Sequence, residues 1–262
     1  MTNAALNVAR TGLDAENLRM QVIANNLANV NTTGFKRARA NFETLAYQAM
    51  IPAGTQSSTQ NTYATGLSLG TGVAALGTAS DQTQGTFQNT GNPLDVAING
   101  AGYFQVQMPN GTTAYTRAGN FSLSATGTLV TADGKPIIPQ IQIPTGAQSV
   151  TIAPDGTVSA VIAGTATPSV IGQLQTATFV NPQGLQDVGN NMLTATAASG
   201  APQVGQPGTS NNGLLQAGTL EASNVNVVQE LVDMIETQRA YEVNSKMIQA
   251  TDDMMKNANQ QI

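Results

Sequence analysis

Residues 6–36 read LNVARTGLDAENLRMQVIANNLANVNTTGFK. Apolar side chains recur here every seventh residue, in two rows that are offset by three positions. The first row is Leu6, Leu13, Met20 and Leu27, and the second row is Ala9, Ile23 and Val30, broken only by Glu16. This spacing predicts a long helix with one apolar side that packs against another helix.

The C-terminal part of the chain repeats the pattern from Val227 to Met255, and Asn224 or Asn226 can cap the start of the helix. One such helix would also fit on the surface of its own domain. Because both ends of the chain carry the pattern, we expect the helices to pair with each other and with those of other copies. The predicted subunit-interface residues of this helical seam are Leu6, Leu13, Met20, Ile23, Leu27, Val30, Val227, Leu231, Met234, Tyr241, Ile248 and Met255.

The first helix runs out in a cluster of asparagines followed by glycine, phenylalanine and basic residues. One interpretation is a simple helix end, with Gly34 as the stop and Lys36 near the negative end of the helix dipole. The other is that the amides supply uncharged hydrogen bonds where helices meet other subunits. Both interpretations stay open, and the predicted helix-end contacts are Asn25, Asn26, Asn29, Asn31, Gly34 and Phe35.

Between the helices, short alternating runs are separated by turn dipeptides, which predicts antiparallel β-structure. The dipeptides are Asn110-Gly111, Thr126-Gly127, Asp133-Gly134 and Asp155-Gly156. The predicted fold class is therefore α+β, with terminal heptad helices paired in a coiled-coil-like domain and a mainly antiparallel β domain between them. The predicted segments are an N-terminal helix (1–33), an extended connector (34–80), the β domain (81–217) and a C-terminal connector with helix (218–262). Residues 51–72 in the extended connector and residues 200–213 near the end of the β domain are predicted to be irregular.

Composition excludes several classes of function. The chain has no histidine and no cysteine, so the commonest general base, the thiolate nucleophile and most zinc ligands are missing together. We therefore predict no catalytic, cofactor or metal site. A net charge of −5 disfavours nucleic acid, and no apolar run is long enough to predict membrane insertion. The N-terminus lacks the pattern of a cleaved signal peptide.

Two long stretches carry a family resemblance. GLDAENLRMQVIANNLANVNTTGFKRARANFETL (12–45) and ASNVNVVQELVDMIETQRAYEVNSKMIQATDDMM (222–255) resemble the terminal signatures of the bacterial flagellar rod and hook family of axial proteins. Residues 47–73 and 92–123 resemble the distal-rod branch of that family rather than its hook branch. The predicted rod-specific residues in the first of these inner stretches are Tyr47, Pro52, Ser57, Ser58, Gly66 and Leu67.

The resemblance implies a structural subunit that polymerises helically into a rigid, hollow drive shaft, carries torque to the hook and passes export substrates. It implies as partners other copies of the chain, proximal rod proteins below, the hook protein above, the surrounding P-ring and L-ring proteins and the flagellar export apparatus. The expected location is the basal body, where the rod crosses the periplasm to the outer membrane. The alternatives are a proximal rod or hook subunit and, from another class, a secreted β-rich adhesin.

Overall fold

The computed structural model describes residues 2–58, 61–164, 167–209 and 211–260. Within this range, the side chains of residues 2–5, 57–58, 61–62, 255 and 258–260 are not described. The chain divides into two compact units. Unit 1 consists of residues 1–28, 38–79 and 226–262, and unit 2 of residues 29–37 and 80–225.

Two long helices dominate unit 1: α1, Thr2–Ala28, and α2, Val227–Gln260. Asn226 caps α2, because its side-chain oxygen accepts hydrogen bonds from the backbone N–H groups of Val228 (3.0 Å) and Gln229 (3.4 Å). The helices pack against each other. Among the described residues, neither helix contains a stretch that is both long enough and apolar enough to cross a membrane.

Six short strands complete unit 1. They are β1 (Ala38–Thr44), β2 (Tyr47–Ile51), β3 (Gln56–Ser58), β4 (Asn61–Thr62), β5 (Leu67–Gly70) and β6 (Val73–Ser80). Strand β1 pairs with β6, β2 pairs antiparallel with β5, and β3 pairs antiparallel with β4. The prediction that residues 51–72 are irregular was wrong in part, because the segment contains β3, β4 and β5 and begins at the last residue of β2.

In its described residues, unit 2 contains sixteen short strands and one 3-10 turn at Pro182–Gly184. The first eight are β7 (Phe87–Asn89), β8 (Val96–Asn99), β9 (Tyr103–Gln107), β10 (Thr113–Thr116), β11 (Phe121–Leu123), β12 (Leu129–Thr131), β13 (Ile137–Ile138) and β14 (Ala147–Ile152). The others are β15 (Thr157–Ile162), β16 (Ser169–Gln173), β17 (Thr176–Thr178), β18 (Gln186–Asp187), β19 (Leu193–Thr194), β20 (Gln203–Gly205), β21 (Leu214–Ala217) and β22 (Thr219–Glu221).

The strands of unit 2 form one large sheet and several small ones. The large sheet has seven strands in the order β18-β19-β10-β9-β17-β20, with β13 also paired to β9. Strands β14, β15 and β16 form a second sheet, and β11 pairs with β12. Strands β7 and β8, from the start of unit 2, pair antiparallel with β22 and β21 from its end. The two ends of unit 2 are thereby tied together.

The four dipeptide turns are confirmed. Each glycine has a positive φ, between 78° and 87°, and lies between strands that pair antiparallel or, for Gly134, between β12 and β13. The glycines are Gly111, Gly127, Gly134 and Gly156. The α+β class with terminal helices and mainly antiparallel strands is likewise confirmed.

Unit 2 encloses a conventional apolar core. Phe104 is fully buried and meets Phe121 edge to face, with 4.9 Å between the ring centroids. The core also contains Val96, Ile98, Leu129, Ile137, Ile141, Ile152, Val158, Leu174 and Leu215. A smaller cluster places Phe179 against Tyr103 and Tyr115. Unit 2 is thus stabilised by burial within its own chain.

Candidate assembly surfaces

The asparagine cluster at the end of α1 contains one buried member, Asn26, which is 1% exposed. Its Oδ1 accepts a hydrogen bond from the Ala38 N–H (2.9 Å), and its Nδ2 donates to the Ala38 carbonyl (2.8 Å). The same Nδ2 donates to Oε2 of Glu230 on α2 (3.1 Å). One amide therefore joins α1, the first residue of β1 and α2.

Gly34 follows a few residues later, in the part of unit 2 that spans residues 29–37. The Gly34 N–H donates to the Glu221 carbonyl (2.8 Å), and its φ is +69°. A Cβ at this position would lie 2.7 Å from the carbonyl carbon of Arg117, which is backbone and cannot swing away. Only glycine satisfies both conditions. Gly34 lies in unit 2, outside α1.

Three charged side chains meet just beyond Gly34. The Glu221 carboxylate accepts from Lys36 Nζ at one oxygen (2.6 Å) and from Arg117 Nε at the other (2.6 Å). The Gly85 N–H also donates to Glu221 (3.0 Å). The Arg117 guanidinium further donates to the carbonyls of Gly102, Ile98 (3.0 Å) and Gly100 (2.6 Å). Lys36, Arg117 and Glu221, hereafter the charge cluster, fix the ends of unit 2.

Electrostatics favour the charged form of this carboxylate. Burial acts most strongly on Glu221 and works against ionisation, but the charge attraction and the hydrogen bonds of Arg117 and Lys36 together outweigh it. The pKa of Glu221 is consequently lowered from its ordinary value of 4.5. The cluster is held as ions, with each hydrogen-bonding group directed at a partner.

Helix α2 shows two contrasting faces. Polar side chains recur every seventh residue on the face that meets α1: Glu230, Thr237, Asn244 and Thr251. The first two are fully buried. On the other face, apolar side chains remain exposed. They are Val228, Val232, Ile235, Val243, Met247 and Met254, hereafter the apolar stripe, and Val228 is 71% exposed.

The ribbon formed by β2 and β5 is a second exposed apolar surface in unit 1. Tyr47 is 64% exposed, and Met50, Leu67 and Leu69 are exposed as well. A two-stranded ribbon alone is at best marginally stable in water. An apolar ribbon of this kind is a candidate contact surface.

Comparison with known proteins gives matches along nearly the whole chain. A family described as "Flagella basal body rod protein" matches residues 6–36, "Flagellar hook protein FlgE/F/G D1 domain" matches 97–160, and "Flagellar basal body rod FlgEFG protein C-terminal" matches 216–261. The flagellar basal-body rod protein FlgG of Buchnera aphidicola is 50% identical over 97% of both chains. The chain belongs to the flagellar basal-body rod protein family.

Two proteins of Caulobacter vibrioides refine the comparison within this rod family. Its FlgG is 45% identical over 98% of both chains, whereas its FlgF is 37% identical over 91% of this chain and 89% of its own length. The three family matches each contain one member of the charge cluster: Lys36, Arg117 and Glu221. Each of the three matched segments therefore contributes one side chain to the charge cluster.

The predicted seam residues of α2 lie beside the row of Glu230, Thr237, Asn244 and Thr251 and do not belong to it. Ile23 is buried, whereas the others are half-buried or exposed. Half-buried are Leu6, Leu13, Met20, Leu27, Val30, Met234 and Ile248, and exposed are Val227, Leu231 and Tyr241. The side chain of Met255 lies outside the described residues. Whether these residues contact other subunits stays a prediction.

The other predicted residues divide in the same way. Asn26 and Gly34 are buried, Asn29 and Phe35 are half-buried, and Asn25 and Asn31 are exposed. In the rod-specific set, Tyr47, Pro52, Gly66 and Leu67 are exposed. The side chains of Ser57 and Ser58 lie outside the described residues, although both belong to β3.

Sequence reasoning missed the charge cluster and the partner of Asn26. Lys36 and Glu221 are 185 residues apart, so no local pattern connects them. One signal was present, because charged residues are rare in the middle of the chain. A lone arginine such as Arg117 in a charge-poor region is a candidate for a buried ion pair.

Proposed function

We propose that this chain is a structural subunit of the distal flagellar rod and makes and breaks no covalent bond. Copies assemble helically into a stiff, hollow shaft that carries torque toward the hook and lets export substrates pass. The single observation that carries the proposal is the apolar stripe on α2, which the described part of the chain leaves uncovered. A second copy supplies a matching surface, since every copy has the same helices.

In this proposal the helices of neighbouring copies pack in a coiled-coil-like tube. The stripe residues Val228, Val232 and Ile235 are spaced by four and three positions, as in interhelical seams. Exposed apolar side chains of this size are costly in a free subunit. Unit 2, whose core is complete, forms the outer part of the shaft.

The division of the chain into segments 1–33, 34–80, 81–217 and 218–262 belongs to the same proposal. So do the partners: proximal rod proteins below, the hook protein above, and the P-ring and L-ring proteins around the shaft. The subunit reaches its place through the flagellar export apparatus. The rod crosses the periplasm to the outer membrane.

The ribbon of residues 47–73 accounts for stiffness in this proposal. Its exposed Tyr47, Leu67 and Leu69 rest on a neighbouring copy and prevent subunits from sliding. Deletion of residues 57–67 is expected to give curved or bendable filaments. The matched control is Gln48→Ser, a polar change in the same ribbon. Filaments of the deletion variant that are as straight and stiff as the parent's would contradict this role.

Electron microscopy of the purified full chain under polymerising conditions tests the main proposal. Tubes are expected for the parent, whereas an adhesin would give single particles. Ile235→Asp places a charge on the stripe, where burial without a partner costs several kcal/mol, and is expected to abolish tubes. Gln238→Asp adds the same charge to an exposed polar position of α2 and is expected to leave tubes intact.

A proximal rod subunit is the second candidate. The similarity to FlgF, a rod protein of another type, favours keeping it. Complementation separates the two: the gene for this chain is expected to restore motility to a strain lacking its FlgG and not to one lacking its FlgF.

A further inference from the structure

The face of α2 that meets α1 is polar at every seventh residue, which is unexpected for a helix pair. Glu230 and Thr237 are completely buried, and Asn244 and Thr251 are half-buried. Thr237 satisfies its own hydroxyl by donating to the Asp233 carbonyl (2.7 Å). Glu230 instead receives a hydrogen bond from across the pair, from Asn26.

The Asn26 amide makes three hydrogen bonds. Its two contacts with Ala38 and its contact with Glu230 are 2.8, 2.9 and 3.1 Å long. An amide has two N–H donors and one carbonyl oxygen, so these contacts use both faces of the group. Any sliding of α2 along α1 breaks the bond between Asn26 and Glu230, and with it a buried hydrogen bond.

A second close approach fixes the direction of the pair. A Cβ atom added to Gly12 would lie 3.2 Å from Nδ2 of Asn244. Gly12 precedes Asn26 by fourteen residues, and Asn244 follows Glu230 by fourteen residues. The helices therefore run antiparallel and in step over about 21 Å, at 1.5 Å per residue. Glycine at position 12 permits this approach.

Apolar contacts alone do not specify this alignment. The apolar rows repeat every seventh residue on both helices, so a slip of seven residues, about 10 Å, would bring similar side chains opposite each other. A buried polar pair removes that degeneracy, because only one alignment satisfies it. Such pairs are known to select register at some cost in stability.

We propose that Asn26 and Glu230 are positioning residues that lock the α1/α2 pair in one register. Asn26 binds α2 through Glu230 and β1 through Ala38, so one side chain positions α1, β1 and α2. All three hydrogen bonds of the lock lie within one chain. It does determine where along α1 the apolar stripe is presented.

Engineered cysteines can measure the register directly, since the chain has none of its own. The Gly12→Cys, Asn244→Cys variant reports the observed alignment. Gly12→Cys combined with Thr237→Cys or with Thr251→Cys reports a slip of seven residues in either direction. Bridges within one chain are scored by mobility on non-reducing gels after mild oxidation of the dilute full-length chain, because cysteines more than about 7 Å apart cannot bridge.

In the parent background, the 12–244 bridge is expected to form at least about tenfold faster than either slipped bridge. Adding Asn26→Leu removes the lock but keeps an apolar contact, and is expected to bring the three rates within about threefold of each other. Equal rates in the parent would overturn the proposal. So would an undiminished preference in the Asn26→Leu background.

A rescue pair distinguishes register from general loss of stability. Asn26→Asp replaces the donor to Glu230 with a second carboxylate, and the bridge preference is expected to fall. Adding Glu230→Gln restores a donor, and it is expected to raise the preference for the 12–244 bridge again by at least about threefold. A merely structural role for Asn26 predicts no rescue, and absence of rescue would overturn the proposal even where Asn26→Leu impairs folding. Circular dichroism of each variant reports the helix content.

Discussion

The two units of this chain solve the problem of stability in different ways. Unit 2 buries an apolar core around Phe104 and ties its ends together with the charge cluster. In unit 1, Ala9 and Ile23 are the buried apolar side chains among the described residues, and the buried side chains of α2 are the polar Glu230 and Thr237. Unit 2 is therefore complete within its own chain, whereas unit 1 leaves apolar surface exposed that can contact further copies.

The largest effect is expected in the core of unit 2. Phe104→Ala removes a fully buried ring that packs on Phe121, and should cost about 3–5 kcal/mol of unfolding free energy. Urea denaturation followed by the tyrosine signal measures it. Leu123→Ala, at an exposed site of unit 2, is the control and should cost far less. Equal losses would show that unit 2 does not depend on this core.

Glu221→Gln tests the charge cluster with an isosteric change. It leaves Lys36 and Arg117 buried without their counter-ion, and a loss of about 3–5 kcal/mol is expected. Asp252→Asn breaks an exposed pair with Lys256 on α2 and is expected to have no measurable effect. A small loss for Glu221→Gln would mean that water replaces the ion pairs.

The same variant sharpens the pH dependence. Because the pKa of Glu221 is lower in the folded chain than its ordinary value of 4.5, ionised Glu221 favours folding above that pH. This contribution decreases as the pH falls below about 4.5 and is lost once the pH passes the folded pKa. The unfolding free energy is measured by denaturation between pH 6 and pH 3, a range of about three pH units around that value. As the pH falls, it should decrease less steeply for Glu221→Gln than for the parent. Parallel slopes would contradict the assignment.

A smaller effect is expected at Gly34. Alanine there combines a left-handed backbone with a contact of 2.7 Å to Arg117, and should cost about 1–3 kcal/mol or more. Gly111→Ala has a similar φ of +82° but open space around it, so it isolates the backbone strain. The difference between their unfolding free energies measures the clash. Identical losses would place the whole cost in the backbone angle.

The smallest effect is expected at the N-terminus of α2, in unit 1. Asn226→Ala removes the cap on Val228 and should cost about 1 kcal/mol, whereas Asn226→Ser should preserve most of it. The unit 2 transition should not move in either variant. Hydrogen exchange of the first turn of α2 measures the change, and a shift in the protection of unit 2 strands would contradict the separation of the units.

Sequence patterns predicted the elements better than their contacts. Heptad spacing located both helices, and the glycine dipeptides located four turns, because these signals act over a few neighbouring residues. The ribbon at residues 47–70 was missed, since its strands are short and the segment between them is rich in serine, threonine, glutamine and glycine. The partners of Lys36 and Asn26 lie 185 and 204 residues away, beyond any local rule.

The face of α2 shows why the contact surface was harder to predict. A row of Glu230, Thr237 and Asn244 is normally assigned to solvent, and the neighbouring apolar row to the partner helix. In the structure the polar row is covered within the chain, and the apolar stripe remains exposed. A heptad identifies a helix that packs, but it does not say which row its own chain covers.

The sequence distance between Lys36 and Glu221 also sets the timing of folding. A chain that emerges N-terminus first presents Lys36 and Arg117 long before Glu221 arrives. Until then, a compact unit 2 would bury two cations without an anion, which strongly disfavours it. The charge cluster thus makes a compact unit 2 unfavourable until β22, its last strand, is present.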